Sequence, residues 1–312
     1  MTKEQYLKNL EVPSGKVDVI LDTDTYNEID DQFALSYLLL SEDKLNTVGI
    51  CAAPFFNSLS SGPRDGMEKS YDEILKLLSF LGRDDIKEKT YKGSVEYLPD
   101  ENTPVDSDAA RFIVESAKKY TPEDPLYVVA IGAITNVASA ILLDSAAMEN
   151  TVVVWLGGHA THCNWAGGEA TEFNMKQDIA GARVLFNSNT PVVMLPCGGV
   201  VSAFTLSGAE CKYWLEDVNP LADYLAKNTS SAAEKYASGK PWTRVIWDVT
   251  AVAWLLNENG RFMKDNIIKA MLPEYDKSYS YPEGAKEICY VNYIKRDVLM
   301  NDLVTKLRNF GK

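Results

Sequence analysis

Asp22-Thr23-Asp24-Thr25-Tyr26-Asn27-Glu28-Ile29-Asp30-Asp31 places four aspartates and a glutamate within ten residues of chain. Before it, Val17-Asp18-Val19-Ile20-Leu21 is an apolar run that predicts a short buried strand. After it, Gln32-Phe33-Ala34-Leu35-Ser36-Tyr37-Leu38-Leu39-Leu40 predicts a helix. The acids therefore occupy a strand-to-helix turn. In an α/β sheet such turns lie at the carboxyl ends of strands, where ligands bind. Carboxylates this close repel one another unless something positive sits among them, and a hard cation with oxygen ligands meets that need. The alternative is a solvated acidic loop with Asp30 at the favourable amino end of a helix dipole.

The rest of the composition narrows the partners. At 312 residues and 46% hydrophobic, the chain is long enough for one large α/β domain spanning 1–312. Its net charge is −13, from 31 basic and 44 acidic residues, and no stretch gathers Lys and Arg into a patch. Nucleic acid and anionic membrane are therefore not expected partners. The first ten residues lack a long apolar core and a small-residue cleavage site, and no later run reaches about eighteen apolar residues, so the expected location is the cytoplasm. Five scattered cysteines (51, 163, 197, 211 and 289) include no Cys-x-x-Cys pair, which argues against a disulfide frame or a zinc knuckle.

Outward from the acidic turn, residues 46–51 read as a second strand and 52–66 as a long loop rich in Ser, Pro and Gly that contains Asn57. Met67, Tyr71, Ile74, Leu75, Leu78 and Leu81 recur at helical spacing. Asp106 or Ser107 is placed to cap a further helix reaching Tyr120. A strand at 126–131 runs into Gly132-Ala133-Ile134-Thr135-Asn136, where Thr135 or Asn136 is a candidate cap for a helix to Leu143. The strand 151–156 ends at Gly157-Gly158. A polar loop with His159, His162, Asn164 and Trp165 then leads to Glu172-Phe173-Asn174, a helix at 177–187 and a strand at 191–195. Read alone, Glu172 is a solvated charge and Asn174 a turn residue.

Ser207-x-x-Glu210 has the form of a capping box, and Pro220 suits the first turn of another helix. Residues 229–240 are small and polar and are expected to form a mobile flap, with Tyr236 either a base contact or an exposed ring. Asp248 opens an apolar helix as a capping residue would. Residues 288–294 read as an edge strand and 297–310 as a closing amphipathic helix.

Asp22-x-Asp24 followed by Asp30-Asp31, between a strand and a helix, resembles the amino-terminal signature of the inosine-uridine-preferring nucleoside hydrolase family. Three further stretches resemble that family's later signatures in order: Gly132-x-Ile134-Thr135-Asn136, the Gly157-Gly158 to Glu172-Phe173-Asn174 segment, and Asp248 at its helix start. Together they span about three quarters of the chain. Two departures stand out. Five residues, Thr25 to Ile29, separate the second and third aspartates where the commonest form has three, and this longer form is similar to one branch of the family. Trp247 stands where many relatives carry a histidine, and a purine-preferring branch resembles this chain in placing Trp there.

The resemblance implies an open, mostly parallel α/β sheet with helices on both faces. It implies a calcium ion held by Asp24, Asp31, the backbone oxygen of Ile131 and Asp248. The donors are hard oxygens with no His or Cys, which suits calcium better than zinc. It further implies hydrolysis of the N-glycosidic bond of a ribonucleoside, with Asp24 taking a proton from a calcium-held water. Asp30 would accept from the ribose 2-hydroxyl, Glu172 and Asn174 would hold the other hydroxyls, and Asn57 and Asn164 would be further sugar contacts. Trp247 would stack on the leaving base, favouring purine nucleosides, with His159 or His162 in reserve as acids. The implied assembly is a homo-oligomer, a dimer or a tetramer. Two other readings stay open: a calcium-dependent nucleoside- or sugar-binding protein without activity, and an aspartyl phosphotransferase with Asp22 as nucleophile and Asp24 as acid.

Overall fold

The computed structural model describes residues 1–163 and 170–312, so Asn164 lies outside the described residues. From the amino terminus the chain forms α1 (Lys3–Lys8), β1 (Val17–Thr23), α2 (Asp30–Leu39), β2 (Leu45–Ala52), α3 (Pro63–Leu81), α4 (Asp84–Lys87) and β3 (Thr90–Lys92). It continues through α5 (Asp108–Ala117), β4 (Leu126–Ala130), α6 (Thr135–Leu143), α7 (Ser145–Met148), β5 (Thr151–Leu156), α8 (Phe173–Gln177), α9 (Ile179–Asn187) and β6 (Val192–Leu195). The last third contains β7 (Thr205–Ser207), α10 (Gly208–Leu215), α11 (Pro220–Ala237), β8 (Thr243–Val245) and α12 (Val249–Trp254). It closes with β9 (Met263–Lys269), β10 (Leu272–Pro273), β11 (Tyr279–Ser280), β12 (Glu287–Ile294) and α13 (Arg296–Asn309).

Eight strands make one sheet in the order β3-β2-β1-β4-β5-β6-β12-β9, and every neighbouring pair is parallel except β12 with β9. The expected single-domain α/β fold with a mostly parallel sheet is therefore present. Side chains along each strand alternate between two cores. Val19 and Leu21 of β1 join Val129, Val152 and Val154 in one, under α2, α3, α11, α12 and α13. Ile20 joins Val128, Val153 and Trp155 in the other, under α5, α6 and α9. Burial on both faces explains the near-continuous apolar runs of the central strands.

β1 is the point where the strand order reverses. The chain moves from β1 through β2 to β3 on one side, then returns to place β4 on the other side of β1. Loops leaving the carboxyl ends of β1 and β4 diverge there, which opens the crevice that α/β sheets use for ligands. The acidic turn after β1 and the Gly132 turn after β4 flank that crevice, joined by the Ile131 amide donating to the Asp22 carbonyl at 2.8 Å.

Three expectations are corrected by the fold. Residues 288–294 are not an edge strand, because β12 lies between β6 and β9. The segment expected as a flap is helical as far as Ala237. Asn219 accepts from the Ala222 amide as its cap, and Leu221, Ala222, Leu225, Ala226, Thr229, Ala233 and Ala237 form a buried stripe down α11. Helix α5 starts from Ser107, whose hydroxyl accepts from the Ala110 amide, and ends at Ala117 rather than Tyr120. The Ser207–Glu210 capping box is present in both directions.

Candidate active site

Asp24 and Asp31 come from the turn after β1 and the first turn of α2, and Asp248 from the residue preceding α12, which packs against α2. Asp30, Asp31 and Asp248 each present a carboxylate oxygen within 4.8 Å of the others, all three residues being buried. The Asp31 carboxyl also lies within hydrogen-bonding reach of that of Asp24. The Thr23 hydroxyl, 2.6 Å from Asp31, gives this carboxylate one donor, and Thr25 lies 2.8 Å from Thr23. Both Asp24 oxygens and one Asp30 oxygen are buried with no hydrogen-bond partner. Asp248 makes no capping bond to its own helix, so the capping explanation for it fails.

Such a set is costly as it stands. Burial is the largest influence on every member and pushes the Asp24, Asp30 and Asp248 carboxyls well above the usual range, with their mutual repulsion adding to it. Burial likewise lifts Asp31 to about 7 even though Thr23 donates to it. Orphaned carboxylate oxygens, hard donors only and strong mutual repulsion fit a divalent cation of the calcium type.

The second signature works through tertiary contacts rather than as a helix cap. Thr135 donates to Asp178 at 2.6 Å. Asn136 donates to Asp22 at 2.7 Å and to the Ala52 carbonyl at 3.2 Å, while its own oxygen accepts from the Ser94 amide and hydroxyl. Asp22 is thus fixed beneath the site, wholly buried, with burial lifting its pKa to about 7. It is absent from the cavity wall, and one of its oxygens is taken by Asn136. Gly132 approaches its neighbours closely: a Cβ there would sit 3.1 Å from the Ala53 Cβ and 3.2 Å from the Asp24 Cγ, so a larger residue would press on both.

At the end of β5, Gly158 has φ +77° and would drive a Cβ into the Tyr279 hydroxyl. Its amide donates to Glu172 at 2.8 Å. Glu172 is buried, and it also accepts from the amides of Asn174 and Met175, capping α8. It is not a solvated charge. Asn174 spends both amide protons on strand-end carbonyls, that of Ile131 at 3.1 Å and that of Leu156 at 3.0 Å. A side chain that looks like a turn residue in the sequence therefore ties the ends of β4 and β5 together and aims the Ile131 oxygen.

These groups line a cavity of about 280 Å³ whose wall comprises Asn27, Glu28, Asp30, Asp31, Asn57, Ile131, Leu156, His159, Glu172, Phe173, Asn174, Cys197, Trp247 and Asp248. Of the described site expectations, Asp30, Asp31, Asn57, Ile131, Glu172, Asn174, Trp247 and Asp248 share this wall. Asp24 lies behind it, against Asp31. Asn57 donates to Asn27 at 2.6 Å, so the inserted Asn27 braces the 53–62 loop. His159 is on the wall, its Nδ1 accepting from the Gly198 amide at 3.1 Å, and burial first, then Lys176, hold its pKa below the ordinary imidazole value. His162 is exposed and off the wall. Tyr236 is 56% exposed, donates to the Thr243 carbonyl and does not reach the cavity. Glu28 and Phe173 lie inside the signature stretches but take no role from them, and Cys197 joins the wall without any local sequence signal.

Comparison with known proteins settles the ancestry of this arrangement. A family model for the inosine-uridine preferring nucleoside hydrolases matches residues 19–292. The chain belongs to that family. A curated relative, a probable uridine nucleosidase 2 of Arabidopsis thaliana, is 28% identical over 132 residues, 41% of this chain and 38% of the relative. The match thus spans less than half the length of that nucleosidase. A plant nucleoside hydrolase superposes with a TM-score of 0.74 at 18% identity, covering 94% of this chain and 99% of that one. A purine-preferring ribonucleoside hydrolase of Gardnerella vaginalis gives 0.73 at 22% identity, covering 94% and 98%. At such identities the superpositions show the shared fold.

Proposed function

We propose that this nucleoside hydrolase family member cleaves the N-glycosidic bond of ribonucleosides, with a preference for purines, around a calcium ion held by Asp24, Asp31, the Ile131 carbonyl oxygen and Asp248. The observation that carries the reading is the cluster of buried, mutually repelling carboxylates with unpartnered oxygens beside a cavity of nucleoside size. The ion, when bound, neutralises the cluster and acidifies a water.

Asp24 takes the proton of the attacking water, since its oxygens have no other donor to accept from. Asp30, whose carboxylate carries an unpartnered oxygen at the wall, accepts from the ribose 2-hydroxyl and stabilises positive charge developing on the sugar. Glu172 retains acceptor capacity beyond its backbone bonds and, with Asn57 and the Asn174 carbonyl, positions the remaining hydroxyls. Trp247, half-buried on the same wall, offers an indole face to the base. His159 is a further wall group able to hold a proton: with Nδ1 accepting, the neutral ring carries it on Nε2. The test is Asp31→Ala. Titration calorimetry should show calcium binding lost and ribose release from inosine lost with it. Retention of either would refute the assignment.

A further inference from the structure

A second cavity of about 500 Å³ adjoins the first and shares Asn27, Glu28 and Asn57 with it. The two differ sharply in charge. Among the described residues the first is lined by five carboxylates and no Lys or Arg. The second is lined by Lys76, Lys235 and Arg244 against Glu28 and Glu73. Both of those acids are already engaged. Glu28 pairs with Arg244 at 2.8 Å, and Glu73 pairs with Lys76 at 3.6 Å and accepts from Tyr224, which itself accepts from Lys76 at 2.7 Å. Lys235 forms no ion pair among the described residues, and the Arg244 Nε has no acceptor. Polar groups of Gln32, Asn228 and Ser231 complete the wall. In a chain of net charge −13, this is a local excess of positive charge against the overall balance.

Its position relates it to the leaving group. Arg244 lies three residues before Trp247 and near enough to Asp30 to influence that carboxyl. Asn27 and Glu28, within the turn that is two residues longer than the commonest family form, make the partition between the cavities. In the cleavage, the C1′–N bond breaks with its electron pair going to the base nitrogen. The water oxygen bonds to C1′ and the water's proton passes to Asp24. Trp247 has no proton to give at neutral pH, so negative charge develops on the base nitrogen before His159 or water protonates it, and a nearby cation stabilises that charge.

We propose that the second cavity receives the far edge of a base stacked on Trp247 in the first, and that Arg244 and Lys235 there select ribosides whose base carries an anionic substituent such as a carboxylate. This rests on the nucleosidase reading above. The longer turn then has a purpose, since Glu28 orients Arg244 across the partition and Asn27 fixes Asn57 on its other edge.

The experiment compares kcat/KM for 5-carboxyuridine and uridine in the calcium-loaded enzyme, in Arg244→Gln and in Lys235→Gln. A single charge-assisted contact predicts a wild-type preference of about tenfold or more for the carboxylated riboside. That ratio should collapse toward one in both variants. Equal rates on the two ribosides, or a preference that survives both substitutions, would overturn the subsite. If the wild type cleaves neither, ribose release from inosine decides the nucleosidase reading, and calorimetry with orotate decides the cavity alone. Orotate binding that Arg244→Gln weakens supports the subsite, and no binding, or binding the variant leaves intact, overturns it.

Discussion

Asp24 combines complete burial with two oxygens that have no donor, a state a carboxylate does not keep without a compensating charge. As the base toward water it should be needed for turnover more than for affinity: Asp24→Asn is expected to lower kcat by about 10²- to 10⁴-fold while nucleoside binding changes little. Steady-state kinetics with equilibrium binding separates the two, and near-normal turnover with weakened binding would reject the role. Trp247 makes a different demand. Its Ala variant should lose inosine hydrolysis strongly but retain much of its rate on p-nitrophenyl riboside, whose leaving group requires no protonation. Stacking of this kind contributes roughly 0.5–1.5 kcal/mol beyond burial, which biases the choice of base without fixing it. Equal losses on both substrates would shift attention to His159 as the acid. The aspartates and Trp247 were readable in the sequence because they sit in short signatures. Asn136 sits in one as well, but its role was not readable, since its partners Asp22, Ala52 and Ser94 are distant in the chain and nothing local distinguishes it from a helix cap.

At the level of elements, the site depends on how the ends of β1, β4 and β5 are held together. Asn174 bridges the last two with both of its amide protons. Asn174→Ala should destabilise the fold by about 1–3 kcal/mol for each buried carbonyl left without a donor, visible in denaturant midpoints, and should weaken calcium binding through the loosened Ile131 oxygen. Calcium affinity equal to wild type would show that the carbonyl is not a ligand. The central strands were legible because each alternates between two apolar cores and so reads as an unbroken run. The outer pieces were not. β3 has only three residues, and the stripe of α11 is built largely from alanine and threonine, which read as a polar loop until Asn219 and Pro220 are seen to start a helix. Sheet order explains the remaining error, for nothing in residues 287–294 announces that β9 will pair outside them.

Across the whole molecule, the acidic cluster couples stability to pH and metal. Burial lifts Asp22 and Asp31 from the ordinary 3.8 to about 7. Between those values the folded, metal-free protein binds more protons than the unfolded chain, so its stability falls as pH rises through that window. Asp24, Asp30 and Asp248 are shifted the same way and add to the slope. Metal-free protein should therefore melt at a lower temperature at pH 8 than at pH 5, and calcium should remove most of the difference by holding the carboxylates ionised. A metal-free melting temperature that rises with pH over this range would contradict the assignment. Among the described residues no helix is long and apolar enough to cross a membrane. Function and metal meet in the release of free ribose from inosine by chelator-treated enzyme as calcium is titrated back. The expected result is no ribose in chelator, with rate restored along the same saturation curve as calcium binding and no restoration in Asp31→Ala. Undiminished ribose release in chelator, or none at any calcium concentration from purine or pyrimidine nucleosides alike, would contradict it.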